Sequence, residues 1–308
     1  MYMRPRYEAQ ALTVKRLFKE EFRLLREVSS WKHTHILKCL AAYKTSSGGP
    51  FGCYALVLPH ADGGSLHSFL RLSEAPPWLR QSTSTASTSN CGVIFGQTLG
   101  IVDALALIHN KMDKTSFIIH RDIKPYNILI RKGVFKLADF EFACIKDAED
   151  TSKTIWWVGT PLYAPPERTL HHAESTGRAR DTWAMGCVIL EILVLLCSGF
   201  SREPAVEKFE RERLLSSGNR ESKVFSLTMD CVNEWIGHLD GMIEDGVHDH
   251  PTDQRKLENI LFLVRGMLNP EPKDRMTAAT AHDHLRSLAN TKAPLLKKKT
   301  SGYKEEGS

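Results

Sequence analysis

One run constrains this chain of 308 residues more than any other: Ile119-His120-Arg121-Asp122-Ile123-Lys124-Pro125-Tyr126-Asn127-Ile128-Leu129. Phe117-Ile118-Ile119 precedes its polar centre and Ile128-Leu129-Ile130 follows it. Short apolar runs on both sides predict two strands presenting a polar loop. Within that loop Asp122 can accept a proton, Lys124 supplies a cation, and Asn127 offers an amide oxygen to a metal. Downstream, Lys136-Leu137-Ala138-Asp139-Phe140 reads as a further strand ending in a second carboxylate.

The length allows two lobes with separate cores. Hydrophobic residues make up 42% and charged residues 25%, ordinary for a globular protein. The net charge of +5 does not argue for nucleic acid, and Lys297-Lys298-Lys299 accounts for more than half of it, as a solvated tail would. The 7 cysteines include no C-x-x-C pair, which fits reduced, mostly buried thiols and a cytoplasmic or nuclear protein. His171-His172, His248-x-His250 and His282-x-His284 lack partners at ligand spacing and are expected on surface loops. No secretory signal opens the chain, and the apolar run Cys187 to Cys197 contains Glu191 and is too short to span a bilayer. A buried core helix is expected there, with no membrane and no nucleic acid as partner.

The central loop, with Asp139 after it, resembles the catalytic layout of the protein kinase family, serine/threonine type. The resemblance covers residues from about 10 to 288. It implies an α+β, two-lobed protein-kinase-like fold: a truncated β-rich small lobe over 1–58, a mainly helical large lobe over 59–288, and a disordered tail over 289–308. It implies transfer of the γ-phosphate of ATP to hydroxyls of a protein substrate, with Mg²⁺. Asp122 would accept or orient the proton of the substrate hydroxyl. Lys124 would neutralise charge on the transferring phosphate, and Asn127 and Asp139 would hold Mg²⁺.

The same resemblance extends along the chain. Leu12 to Leu17 alternates as a strand would, and Lys15 in it would hold the phosphates of ATP. Lys19 to Trp31 is expected to be a helix, and its Glu27 would pair with Lys15. Ile36 to Tyr43 and Tyr54 to Leu58 are expected strands. Pro59, His60 and Ala61 would form the hinge that binds adenine beside Leu58, with Leu129 also lining the nucleotide site. Gln81 to Asn90 reads as a flexible insertion, and Val93 to Asn110 as an amphipathic helix. The segment from Asp139 to Glu167 resembles an activation segment. Arg121 would pair with a phosphate there, and no feature chooses among Thr151, Ser152 and Thr154. Glu167 would pair with Arg275, and Asp181 would hold the backbone of the catalytic loop. Lys124 with Thr160 points to serine/threonine specificity.

Two features depart from the family. The residues before Lys15 contain no glycine, so the glycine-rich loop over the phosphates is expected to be missing and the first two strands of the small lobe to be absent or mostly so. Glu141 stands where the family has glycine after Asp139-Phe140, and is expected to slow the enzyme by narrowing the backbone. Two readings therefore stand: an active kinase, and a catalytically weak kinase-fold scaffold that binds partners.

Overall fold

The structure is a computed structural model and describes residues 2–6, 11–45, 53–82, 89–110, 116–147, 159–168, 177–217, 224–246 and 251–289. Thr151, Ser152 and Thr154, His171, His172, His248 and His250, most of the expected insertion after Gln81, and the tail from 290 onward lie outside these residues.

The small lobe is a three-stranded antiparallel sheet with one long helix. Strands β1 (Tyr2–Arg6), β2 (Ala41–Thr45) and β3 (Cys53–Leu58) lie in the order β1-β3-β2, with helix α1 (Ala11–Ser30) between the first two in sequence. Tyr2 lies opposite Leu58, and Thr45 opposite Cys53. Two expectations fail here. A strand is present ahead of Lys15, at Tyr2–Arg6, where none was expected. Leu12 to Leu17, expected as a strand, forms the first turns of α1. The physical reason is continuity. No glycine or proline interrupts Ala11 to Ser30, and Phe18, Glu21, Leu24, Leu25 and Val28 recur at helical spacing. The strand expected from Ile36 starts instead at Ala41. Ile36 makes a single parallel bridge to Leu137, and Leu37 N donates to Leu137 O at 2.9 Å. That stretch thus ties the two lobes together and does not extend the sheet.

The large lobe begins with the short helices α2 (Leu66–Phe69) and α3 (Pro77–Ser82) and the long α4 (Asn90–Asn110). Four short strands follow: β4 (Ser116–Ile119), β5 (Ile128–Arg131), β6 (Val134–Leu137) and β7 (Cys144–Asp147). The two strands flanking the polar loop do not pair with each other. β5 pairs with β6 as a hairpin, and β4 pairs with β7, so the loop between β4 and β5 bridges two small sheets. Helices α5 (Gly177–Ser198), α6 (Ala205–Ser216), α7 (Met229–Glu244), α8 (Pro251–Met267) and α9 (Ala278–Ala289) complete the lobe.

Helix α5 is the centre of this lobe. Every residue from Asp181 to Cys197 is buried. A helix apolar on all sides must be enclosed on all sides, and α4, α6, α7 and α8 pack around it. By length and composition α4 and α5 could each cross a membrane, but 94% of the apolar window of α5 is buried inside the molecule, as a core helix requires. The histidines of α9 differ from expectation. They are half-buried on a helix, where His282 Nε2 lies 3.2 Å from Asp103 Oδ1 and His284 Nε2 lies 3.0 Å from Asn259 Oδ1. His33 Nε2 reaches the other oxygen of Asp103 at 3.0 Å. Six cysteines among the described residues are free thiols.

Two buried charges fasten other elements to α5. Arg275 donates through Nη1 and Nη2 to the two carboxylate oxygens of Glu167, each at 2.9 Å. Its remaining donor capacity goes to the carbonyls of Ala179, Asn269 and Pro270, and the guanidinium sits 5.1 Å from the Trp183 ring centroid. Removing one partner of such a pair strands the other charge. Arg275→Met is therefore expected to lower unfolding free energy by about 3–5 kcal/mol in equilibrium urea denaturation. Arg275→Lys should recover little of it, because an ammonium cannot span both oxygens.

Glu191 is the second. Burial pushes its pKa up from 4.5 to about 7, against the pull of Arg213, Arg71 and the Tyr163 hydroxyl and alongside Glu210. The folded chain therefore binds this proton more tightly than the unfolded chain. The resulting stability is full below about pH 4.5 and is lost as pH rises through about 7. Relative to Glu191→Gln, the natural chain should be less stable at pH 8 than at pH 5 in denaturation curves. An unchanged difference would show that Glu191 keeps one protonation state throughout.

Candidate active site

Between the lobes lies a cleft of about 310 Å³. Leu58, Pro59, His60 and Ala61 line it from the connection between the lobes, with Leu129 on β5 and Phe140 on the opposite wall. The connection is held by backbone pairing: Gly63 N donates to Ile130 O at 3.0 Å, and Ile130 N to Gly64 O at 2.8 Å. A Cβ on Gly63 would come within 2.6 Å of the Ile130 side chain, so glycine is needed for this approach. Leu58, Pro59, His60, Ala61 and Leu129, all singled out from the sequence, thus lie on one surface.

The polar loop faces the same cleft through Asn127 and Asp139. Asp122 is 4% exposed, and donors surround its carboxylate. Oδ1 accepts from Thr160 N at 2.8 Å and Thr160 Oγ1 at 2.7 Å. Oδ2 accepts from Lys124 Nζ at 2.7 Å and Asn127 Nδ2 at 2.8 Å. Burial pushes the Asp122 carboxyl up. Donation from Lys124 and Thr160 outweighs it, leaving the pKa below the ordinary carboxylate value. Lys124 also donates to Thr160 Oγ1 at 2.7 Å, so aspartate, lysine and threonine form one closed network.

Asn127 spends its amide nitrogen on Asp122, both on Oδ2 and on the backbone oxygen at 2.8 Å. Its amide oxygen is left for a cation. With the Asp139 carboxylate on the same cleft wall, the donor set is oxygen from two short side chains, which suits a hard divalent ion. Among the described residues no group of three or more His, Cys, Asp or Glu side chains forms a metal cluster.

The loop holds this shape against backbone strain. Arg121 has φ 69° and Asp139 φ 65°, both in the left-handed region that side chains disfavour. Asp181, at 1% exposure, offsets the first. Its Oδ1 accepts from Arg121 N at 2.8 Å and its Oδ2 from His120 N at 2.6 Å, with His109 Nε2 3.0 Å away. Near Asp139, Phe140 is fully buried against the His120 ring at 4.8 Å, and His120 Nε2 lies 3.1 Å from Ala138 O. Gly159, at φ +93°, lets Thr160 reach Asp122, because a Cβ there would meet Arg121 O at 2.3 Å.

Two expected members depart from expectation. Lys15 lies on helix α1 and not on a strand of the sheet, and its side chain lies outside what is described. Glu27 is exposed on α1 and accepts from Trp31 Nε1 at 3.3 Å. Glu21, 8% exposed, lines the cleft instead, together with Phe18 and Leu25. Glu27 lies six residues further on, about 120° short of two whole turns, and so on a different face. The signal for Glu21 was its phase with Leu24, Leu25 and Val28, the residues that α1 buries.

Glu141 also departs from expectation. It is absent from the described residues with positive φ, so the backbone at this position does not need glycine. The strained residue is Asp139, two positions earlier. Glu141→Gly should relieve nothing. It should lower stability by about 0.4–1 kcal/mol through added freedom of the unfolded chain. Denaturation and steady-state rates on the same variant check this, and a tenfold gain in kcat would contradict it.

Comparison with known proteins agrees with the geometry. The family model described as protein kinase domain matches residues 6–285. The chain is 29% identical over 190 residues to the Probable serine/threonine-protein kinase nek2 of Dictyostelium discoideum, covering 61% of this chain and 40% of that protein. It is 33% identical over 141 residues to Mitogen-activated protein kinase kinase 2 of Arabidopsis thaliana, covering 46% of this chain and 33% of the relative. It is 34% identical over 146 residues to the human cAMP-dependent protein kinase catalytic subunit PRKX, covering 47% and 33%. In each case the matched part spans well under half of the relative. With a family model covering most of its length, and with a buried aspartate, lysine, asparagine and threonine joined in one network beside an inter-lobe cleft, the chain belongs to the protein kinase family.

Proposed function

We propose that this chain transfers the γ-phosphate of ATP to serine or threonine hydroxyls of protein substrates, with Mg²⁺ as the metal. The observation that carries this reading is the Asp122 carboxylate, buried, kept ionised, and joined to Lys124, Asn127 and Thr160 in one network. A carboxylate oxygen accepts about two hydrogen bonds, so Thr160, Lys124 and Asn127 together fill Asp122. The Thr160 hydroxyl on Oδ1 marks where an aliphatic hydroxyl fits. An incoming substrate hydroxyl takes a hydrogen bond to Asp122 as Thr160 yields, and its proton passes to the carboxylate as the new O–P bond forms and the bond to the β-phosphate oxygen breaks. Lys124 stabilises the charge on the transferring group. Pro59, His60, Ala61 and Leu129 form an apolar slot for the base of the nucleotide, and Asn127 and Asp139 hold the metal that neutralises its phosphates. The division of the chain at Leu58 into a small and a large lobe, and placement in the cytoplasm or nucleus, belong to the same reading.

A second reading, a partner-binding scaffold with weak turnover, is favoured by one observation. Lys15, expected to hold the phosphates of ATP, lies on helix α1 and not on a strand of the small-lobe sheet. Thermal-shift titration with ATP and Mg²⁺ separates the two, since a ligand that binds the folded state raises its melting temperature. For the kinase reading, Asp122→Ala should lower kcat for protein phosphorylation by orders of magnitude while nucleotide affinity stays similar. An unchanged rate would remove Asp122 from the chemistry.

A further inference from the structure

The hairpin β5–β6 carries a surface that the candidate active site leaves unused. Its ladder pairs Ile130 with Phe135 and Ile128 with Leu137, and all four are buried. Successive side chains alternate between faces, so Arg131, Val134 and Lys136 lie on the opposite face. Lys132 and Gly133 join the strands at φ 52° and 73°, a tight two-residue turn. A Cβ on Gly133 would come within 2.9 Å of the Trp78 ring, so the turn is seated against α3. On the inter-lobe connection, Asp62 Oδ1 accepts from Lys132 N at 2.9 Å and fixes the turn from a second side.

Cations gather on this surface. Lys136 is half-buried and donates through Nζ to Thr34 O. Burial brings its pKa below the ordinary lysine value, and repulsion from Arg131 and Lys38 adds to that. Lys38 and Lys132 are exposed. Among the described residues no carboxylate comes within ion-pair distance of Lys38, Arg131 or Lys132. Asp62 acts on Arg131 from further away, which leaves four cations facing one carboxylate. Like charges held together repel, and an anionic partner turns that repulsion into attraction.

Beside the turn lies a groove of about 400 Å³ between α3, α4 and β6. Trp78, Val93 and Val134 give it apolar walls, and Lys132 stands on its lining. Gln97 lines it too. Its Oε1 accepts from Phe135 N at 3.1 Å, so its amide nitrogen remains as a donor. Donors beside an apolar wall match a chain that alternates carboxylates with apolar side chains. A membrane surface or a nucleic acid would meet the cations alone and leave the groove unfilled.

We propose that the β5–β6 hairpin and the groove beside it dock an acidic linear segment of a partner protein. An apolar side chain of that segment enters the groove next to Trp78, and its carboxylates lie on Lys132, Arg131, Lys136 and Lys38. The surface does not include Asp122 and does not depend on the role given to that residue.

The test is fluorescence anisotropy of the 308-residue chain with a labelled short peptide of glutamates interrupted by leucines. Binding should saturate and should weaken about tenfold or more between about 50 mM and about 300 mM salt. Lys132→Glu and Lys38→Glu, both at exposed positions, should each raise Kd by about fivefold, and together by about tenfold or more. Their melting midpoints should stay at that of the natural chain. Arg23→Glu reverses an exposed charge on α1 and should change Kd by less than about twofold. Replacing the leucines of the peptide by serine should weaken binding by about tenfold, because the groove then buries no apolar side chain. No saturation by about 1 mM peptide overturns the proposal. So does an equal loss in Arg23→Glu, or a serine peptide that binds as tightly as the leucine peptide. Vesicles of phosphatidylcholine with phosphatidylserine, and a DNA duplex, are run in parallel. Binding of either without saturable binding of the peptide replaces the partner class and overturns the proposal. Absence of phosphate transfer would remove the kinase reading and leave this measurement unaffected.

Discussion

The catalytic loop hangs on the carboxylate of Asp181. That side chain sits near the start of the buried helix α5 and accepts from the backbone nitrogens of both His120 and Arg121. Burial pushes its pKa up, but the donors on it, His109 first, bring it below the usual value, so it stays a charged acceptor inside the lobe. A buried anion with several good donors is hard to displace, because each lost bond leaves part of the charge uncompensated. This lets Arg121 remain at φ 69° and turns the chain so that Asp122 points back toward Thr160.

Helix α5 serves as a common support for three separate pieces of the site. Its N-terminal part carries Asp181 for the catalytic loop. Trp183 lies under the Arg275 guanidinium that holds Glu167, and Glu191 reaches the tyrosine of the loop before Glu167. Because the helix is buried on all sides, it cannot shift without moving the whole core, so positions set from it are set together. The two segments that meet at Asp122, around 120–127 and 159–163, are both irregular and would be loose by themselves. They gain definition from this rigid neighbour.

The small lobe shows a different balance. Its sheet and α1 meet the large lobe through the cleft and through the Ile36–Leu137 bridge. The connection is tied to β5 because Gly63 and Gly64 exchange backbone hydrogen bonds with Ile130 along one edge of that strand. Glu21, Phe18 and Leu25 bring α1 to the cleft wall, so the position of this helix bears directly on the shape of the cleft.

The central loop was legible from sequence because its chemistry is local: Asp122, Lys124 and Asn127 lie within one turn of chain, between apolar runs that can only be strands. The hinge residues Pro59, His60 and Ala61, the Glu167–Arg275 pair and the core helix were legible for the same reason, each carried by a short pattern with few alternatives. Leu12 to Leu17 was not. A six-residue alternation is compatible with both periods, and continuity with the residues after it decided for helix. Glu27 was read from its local pattern with Leu24, Val28 and Trp31, whereas the buried face of α1 is set by what packs on it. The partners of Asp103, and the meeting of Tyr163, Glu191 and Arg213, join residues far apart in the chain through side chains with no fixed offset. The sequence by itself marked the groups that form the polar network, Asp122, Lys124 and Asn127. The tertiary structure alone decided which buried charges hold them in place, because a buried charge is tolerated only where a partner from another element reaches it, and that depends on packing in three dimensions.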